Sequence, residues 1–201
     1  MNDSFNEEIQ KLKSHPGEII GSGMIEDRKF ILGKEGPEGL ARINAELAAA
    51  GCLTYDNIKH GDWYPLSCNF TAFVLAKKLF GWDDETMREL GRQTTKISLL
   101  MRTMTKHFVS PRKVFESAPF YWKKFYTIGE METLEFSEEE KFAVFRVKDF
   151  PGHYLFCRLM EGIIEQVASF ARGEGIKCRE IKCRLKGEDE GHVFKLTWEK
   201  R

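Results

Sequence analysis

The chain has 201 residues, 42% of them hydrophobic, with 16 Phe and 4 Trp, which is enough to bury a sizeable core without covalent staples. Thirty-one basic residues balance 31 acidic ones, so the chain lacks the basic excess of a general nucleic-acid binder. Five cysteines at irregular spacing, Cys52, Cys68, Cys157, Cys178 and Cys183, argue against a disulfide framework and for reduced thiols. The first residues carry no apolar signal core, and no apolar run approaches a membrane span, so a cytoplasmic protein is expected.

Residues 1–23 read as an N-terminal arm or short helix, with Gly17, Gly21 and Gly23 as a flexible joint. Residues 24–201 read as one α+β domain. A short apolar patch, Lys29–Leu32, precedes a helix over about 37–50, opened by Pro37 and stopped by Gly51. Cys52–Pro65 is a connection with one short strand. Leu66–Phe80 is a helix with Gly81 just past its end. A second helix, capped by Asp83 or Asp84, runs to about Val109, with Leu90, Ile97, Leu100, Met101, Met104 and Phe108 on one face. After Pro111 a further helix carries Phe115, Phe120, Trp122 and Phe125.

The last third changes period. Glu132–Phe136 and Phe142–Lys148 are strand-like, and an amphipathic helix follows over about His153–Arg172. Strands over about Lys177–Leu185 and His192–Glu199 close the chain, with Lys186–Gly191 as their turn. That turn sets Leu185 opposite His192 and Cys183 opposite Phe194. The unit over about 130–199 is thus β-β-α-β-β, an antiparallel sheet of about four strands covered by helices.

Several residues carry a resemblance. Gly162-Ile163-Ile164-Glu165, Cys178 to Gly187, and Val193 to Trp198 resemble the 4-vinyl-reductase-type small-molecule-binding domain. Trp63-Tyr64-Pro65, Glu89-Leu90-Gly91-Arg92, Ala118-Pro119 and Trp122 to Tyr126 resemble a myxobacterial family of uncharacterised proteins. The resemblance spans about residues 30–199. It implies a fold related to haem-nitric-oxide sensors and transport-particle subunits, with a ligand pocket and a sensory or regulatory role. One branch of the family is linked to vinyl reduction in chlorophyll synthesis. Where the family places a Cys at the start of the last strand, this chain has Gly191-His192, so a three-thiol site is absent.

Four candidate sites follow. Cys178, Cys183 and His192 are weak metal candidates, because thiolate and imidazole suit zinc. Positions 178 and 183 fall on opposite faces of a regular strand, and only a β-bulge reunites them. The plainer reading, Cys183 in the core and His192 at the sheet's rim, is preferred, and no metal is assigned. A haem sensor needs an axial His, for which His107 is the candidate, and a Tyr-x-Ser-x-Arg propionate clamp. The chain reads Tyr126-Thr127-Ile128-Gly129-Glu130 instead, so haem is disfavoured and no cofactor is named. The basic stripe over 88–124 is read first as a solvated face, and second as a field for an acidic ligand or as pairing with the Glu-rich stretch 130–140. The aromatic set Trp63, Tyr64, Phe70, Phe73, Phe120, Trp122 and Tyr126 is taken as the ligand site, against a core-filling alternative.

No nucleophile elbow, phosphate loop or dinucleotide fingerprint occurs; Cys68 is at a helix start, a position that can lower a thiol pKa. The leading expectation is a sensory or regulatory module for an apolar or amphipathic small molecule, with a signalling protein as a further partner. The alternatives are an enzyme or accessory acting on a tetrapyrrole-like vinyl substrate, and an interaction scaffold that forms a homodimer. None involves nucleic acid or a membrane span.

Overall fold

A computed structural model describes residues 3–97, 111–170 and 174–199. The expected positions Leu100, Met101, Met104, His107 and Phe108 lie outside the described residues. The chain forms two compact units, Met1–Asp83 with Phe125–Thr127, and Asp84–Lys124 with Ile128–Arg201.

The first unit contains helices α1 (Asp3–Lys13), α2 (Gly21–Ala49) and α3 (Leu66–Phe80), and strands β1 (Glu18–Ile20) and β2 (Trp63–Pro65). Ile9 and Leu12 anchor α1 in the core. The two strands pair antiparallel, Ile19 opposite Tyr64. The stretch expected as a glycine joint, Gly17 to Gly23, is instead strand β1 and the first turn of α2. Burial of Met24, Phe30 and Ile31 overrides the poor helix propensity of its glycines. Gly21 is needed there for another reason: a Cβ would meet the Lys59 carbonyl oxygen at 2.0 Å. The expected start at Pro37 survives as a kink, because Gly36 breaks the helix at φ 72°, ψ −177°. Helix α3 is buried continuously from Leu66 to Ala76 and ends, as its sequence predicts, on left-handed Gly81.

The second unit contains α4 (Asp84–Ile97), α5 (Pro111–Phe125), β3 (Glu130–Ser137), β4 (Phe142–Lys148), α6 (Tyr154–Ser169), β5 (Glu174–Lys182) and β6 (Gly191–Glu199). The four strands form an antiparallel sheet in the order β3-β4-β6-β5, so the expected α+β class and β-β-α-β-β unit hold. One face carries Phe145, His192, Phe194 and Leu196, all buried. Helix α6 packs on β5 and β6. Phe115 of α5 packs against Phe136, Phe145 and Trp198. On the opposite face Phe142, Val144 and Val193 form a small cluster, with the Lys195 ammonium over the Phe142 ring.

Helices α4 and α6 meet backbone to backbone. A Cβ on Gly91 would lie 2.2 Å from the Leu159 carbonyl oxygen, and one on Gly162 would lie 2.0 Å from that of Arg88. Beside this contact the fully buried Glu161 accepts from Arg88 (2.6 Å) and Arg158 (2.9 Å). Glu165 holds Arg92 (2.9 Å) and Arg179 (3.2 Å).

The register between β5 and β6 departs from expectation. Glu180, not Cys183, stands opposite Phe194, and Lys182 stands opposite Val193. A bulge between Glu180 and Lys182 accounts for this, as does a 3-10 turn, Arg184–Lys186, closed by left-handed Gly187. Leu185 therefore lies in that turn, 49% exposed, rather than opposite His192. Among the described residues no helix is long and apolar enough to cross a membrane.

Candidate metal centre

The bulge at Ile181 brings together Glu180, near the end of β5, and Cys183, the first residue past it. His192, at the start of β6, points its Nδ1 at both: 3.1 Å to Glu180 Oε1 and 3.8 Å to Cys183 Sγ. Cys157, from the first turn of α6, closes the group from above, its Sγ 3.3 Å from the same nitrogen. One donor atom from each of the four residues lies within 4.8 Å of all the others.

A tetrahedral zinc with bonds of about 2.0–2.3 Å sets donor–donor edges of about 3.3–3.8 Å. Of the separations at His192, 3.3 Å and 3.8 Å fall in that range and 3.1 Å is just short of it. Two sulfurs, an imidazole and a carboxylate are a donor set suited to zinc. Four protein donors fill the coordination sphere and leave no position for substrate, the pattern of a structural or regulatory centre.

The surroundings fix each donor. Arg158 binds Glu180 Oε2 at 2.7 Å, which turns Oε1 toward His192. Glu161, itself held by two arginines, accepts the Glu180 backbone N–H at 2.8 Å. The Cys183 N–H donates to Glu188 at 2.9 Å, tying the loop after β5. Gly152, left-handed at φ 61°, backs the imidazole: a Cβ there would lie 2.8 Å from His192 Nε2. That Nε2 is buried and has no hydrogen-bond partner among the described residues.

Electrostatics keeps the thiols protonated in the absence of a cation. Burial, and then the Glu180 charge, push the Cys157 thiol far up. Burial also raises Cys183. Glu180 moves the other way: burial opposes ionisation, but hydrogen bonds from His192, Cys157 and Cys183 outweigh it and lower its pKa. Metal binding would displace the two thiol protons, and the Arg158 guanidinium would offset part of the resulting negative charge.

Of the three metal candidates read from sequence, the structure brings Cys183 and His192 together. His192 is fully buried, not at the rim. Cys178 shares the inward face but sits one step away, its N–H donating to Glu165 at 3.0 Å, and it takes no part in the group. Cys157 and Glu180 were not among the candidates. The alternation of Glu180 with buried Cys178 along β5 was the available signal for one, and nothing local marks the other.

The aromatic set divides between the units. In the first, Phe70 and Phe73 are core residues, Tyr64 accepts the Lys59 N–H at 2.8 Å, and Trp63 is 38% exposed. Tyr126 is buried and bridges to Ile19. In the second, Trp122 packs edge-on to Phe150 and Phe156, while Phe120 is 60% exposed. The Trp122 indole donates to the Ile128 carbonyl at 3.0 Å, and exposed Glu130 pairs with Lys123 at 3.7 Å. In the basic stripe, Arg88, Arg92, Arg112 and Lys123 all pair with carboxylates of their own unit.

No family model matches the chain and no curated protein matches it, so the 4-vinyl-reductase-type and myxobacterial resemblances rest on the quoted residues alone. Solved structures do match. An H-NOX protein from S. oneidensis in the Fe(II)NO ligation state aligns with a TM-score of 0.68 at 11% identity, over 90% of this chain and 100% of that one. Fe(II) unliganded H-NOX from K. algicida aligns at 0.67 and 12% identity, over 91% and 98%. A structure described as modulating haem redox potential through porphyrin distortion aligns at 0.61 and 13% identity, over 90% and 93%. Across nearly its whole length, this chain has the fold of the H-NOX proteins.

Proposed function

We propose that this chain is a sensory or regulatory module of the H-NOX fold that binds a transition-metal ion of the zinc class through Cys157, Glu180, Cys183 and His192. The observation that carries the reading is the convergence of four buried or half-buried donors within 4.8 Å. Such a group gains little as an apolar core and much as a ligand set. The neighbours of this fold support a module that responds to a small ligand rather than one that turns over substrate.

Haem, which the description of one of those neighbours names, does not fit the described residues. Where a clamp would follow Tyr126 with a hydroxyl and a guanidinium, this chain has Ile128, without a side-chain donor, and Glu130, whose charge repels a propionate. Two features oppose the tetrapyrrole-enzyme alternative: the missing clamp and the closed coordination sphere. Nothing in the two units favours the scaffold reading over the metal one.

The test is elemental analysis and native mass spectrometry of the full chain, purified with reductant and reconstituted with zinc. About one zinc per chain, lost in Cys183→Ser and in His192→Ala, is the expected result. A chain that takes up no zinc while circular dichroism shows it folded would overturn the reading.

A further inference from the structure

The four donors of the centre are not held alike. His192 is fully buried, and Gly152 backs its ring so closely that a Cβ there would lie 2.8 Å from Nε2. Cys157 is fully buried in the first turn of α6, the helix seated on α4. Cys183 is buried too, and Glu188 holds its backbone N–H at 2.9 Å. These three donors ride on short side chains from fixed backbone. Glu180 is the exception. Glu161 fixes its backbone N–H at 2.8 Å, but its carboxylate sits at the end of a longer, rotatable side chain.

Glu180 also has a second partner at hand. Arg158 Nη2 already donates to its Oε2 at 2.7 Å, while Arg158 Nη1 is taken by Glu161 at 2.9 Å. Arg158 Nε lies on the same edge of the guanidinium as Nη2 and has no acceptor among the described residues. A carboxylate that leaves the metal therefore meets the two-point fork of an arginine. It is also the hardest donor of the set, beside two soft sulfurs, so its loss costs zinc least. Glu180 is the one residue of the four that is half-buried rather than buried, so solvent approaches the centre from its side. That side carries exposed Arg179, Lys182, Arg184 and Lys186, a field that gathers anions.

We propose, resting on the zinc reading above, that the centre opens through Glu180: its carboxylate swings from the metal to Arg158, and a small monoanion takes the position it leaves. With all four donors bound the centre is closed, and Glu180 is the arm that lets go. The metal–oxygen bond breaks, a bond from the anion forms in its place, and no proton or electron moves. Zinc and two thiolates sum to neutral, and Glu180 with Arg158 forms a neutral pair. The one added negative charge then faces the basic flank. Cys157, Cys183 and His192 hold the metal throughout.

The experiment loads the full chain with cobalt(II) in place of zinc and titrates it with sodium azide, with perchlorate holding the ionic strength constant. A visible spectrum that changes to saturation, a shifted infrared stretch of bound azide and an unchanged metal content are expected. Glu180→Ala should keep its cobalt and bind azide about tenfold more tightly, because the competing carboxylate is gone. Arg158→Met should keep its cobalt and bind azide about tenfold less tightly, the scale of one charge-assisted hydrogen bond. A wild-type chain that holds cobalt yet shows no change with azide would overturn the proposal. So would a folded Glu180→Ala that loses its metal as Cys183→Ser does. A wild-type chain that binds neither cobalt nor zinc would instead refute the zinc reading itself, and the opening with it.

Discussion

Asp27 is a carboxyl group fully enclosed in the first unit. The Asn69 amide donates to it at 2.8 Å. The phenols of Tyr55 and Tyr126 feel its charge, and Glu26 adds a second acid beside it. Tyr55 Oη, Asn69 Oδ1 and Ser22 Oγ are buried without hydrogen-bond partners among the described residues. Burial, only partly countered by Asn69, lifts Asp27 from 3.8 to about 7. The folded protein therefore holds a proton that the unfolded chain releases near pH 4. Below that pH the group does not penalise folding, and its penalty grows as pH rises to about 7, then levels off. At about 1.4 kcal/mol per pH unit the full penalty is about 4 kcal/mol, of which about 2.5 kcal/mol develops between pH 5 and pH 8. Asp27→Asn keeps the shape and removes the titration. Urea unfolding of both proteins at the two pH values should show the variant gaining about 2.5 kcal/mol on the wild type as pH rises from 5 to 8. A stability difference that stays constant over that interval would refute the assignment of a buried, neutral-range carboxyl.

Gly152→Ala forces a left-handed alanine against the His192 ring; it should destabilise by about 1–3 kcal/mol in thermal melts and lower zinc stoichiometry. Glu161→Gln leaves Arg88 and Arg158, both largely buried, without their shared carboxylate, and should cost about 3–5 kcal/mol in urea unfolding. Phe120→Ala, at a 60% exposed position, should change stability by no more than about 0.5 kcal/mol, and a large loss would show that the residue packs against something. Zinc at about a hundredfold over its dissociation constant should stabilise the chain by about 2.7 kcal/mol. A chelator should then lower the melting temperature by about 5–10 °C, whereas Cys183→Ser should make the melt indifferent to it.

Much of the fold was legible because it is written locally. Helix α3 is bounded by Pro65 and Gly81, and β6 alternates Phe194, Leu196 and Trp198 with polar residues. The start of α2 was misread because its glycines argue for a joint, while the burial that makes it helical comes from partners far along the chain. The candidate site was half legible. Cys183 and His192 are neighbours across a turn, so strand geometry could relate them. The parity argument that separated Cys178 from Cys183 was correct for a regular strand, and the bulge at Ile181 is the irregularity that it demanded. Glu180 shares the face of Cys178 two residues on, but a carboxylate on a strand reads first as a solvated side chain. Cys157 joins through the packing of α6 on the sheet, which no spacing along the chain records.

The bare glycine crossing of α4 and α6 has a mechanical consequence. With carbonyl oxygens seated where side chains would normally intervene, the pair has no soft layer to absorb a small shift. A rotation or slide of α6 must carry α4 with it or break the contact outright. Cys157 rides on α6, two residues before Leu159, where the seat begins, so a change in what its sulfur binds becomes a push on a rigid two-helix lever rather than a local rearrangement.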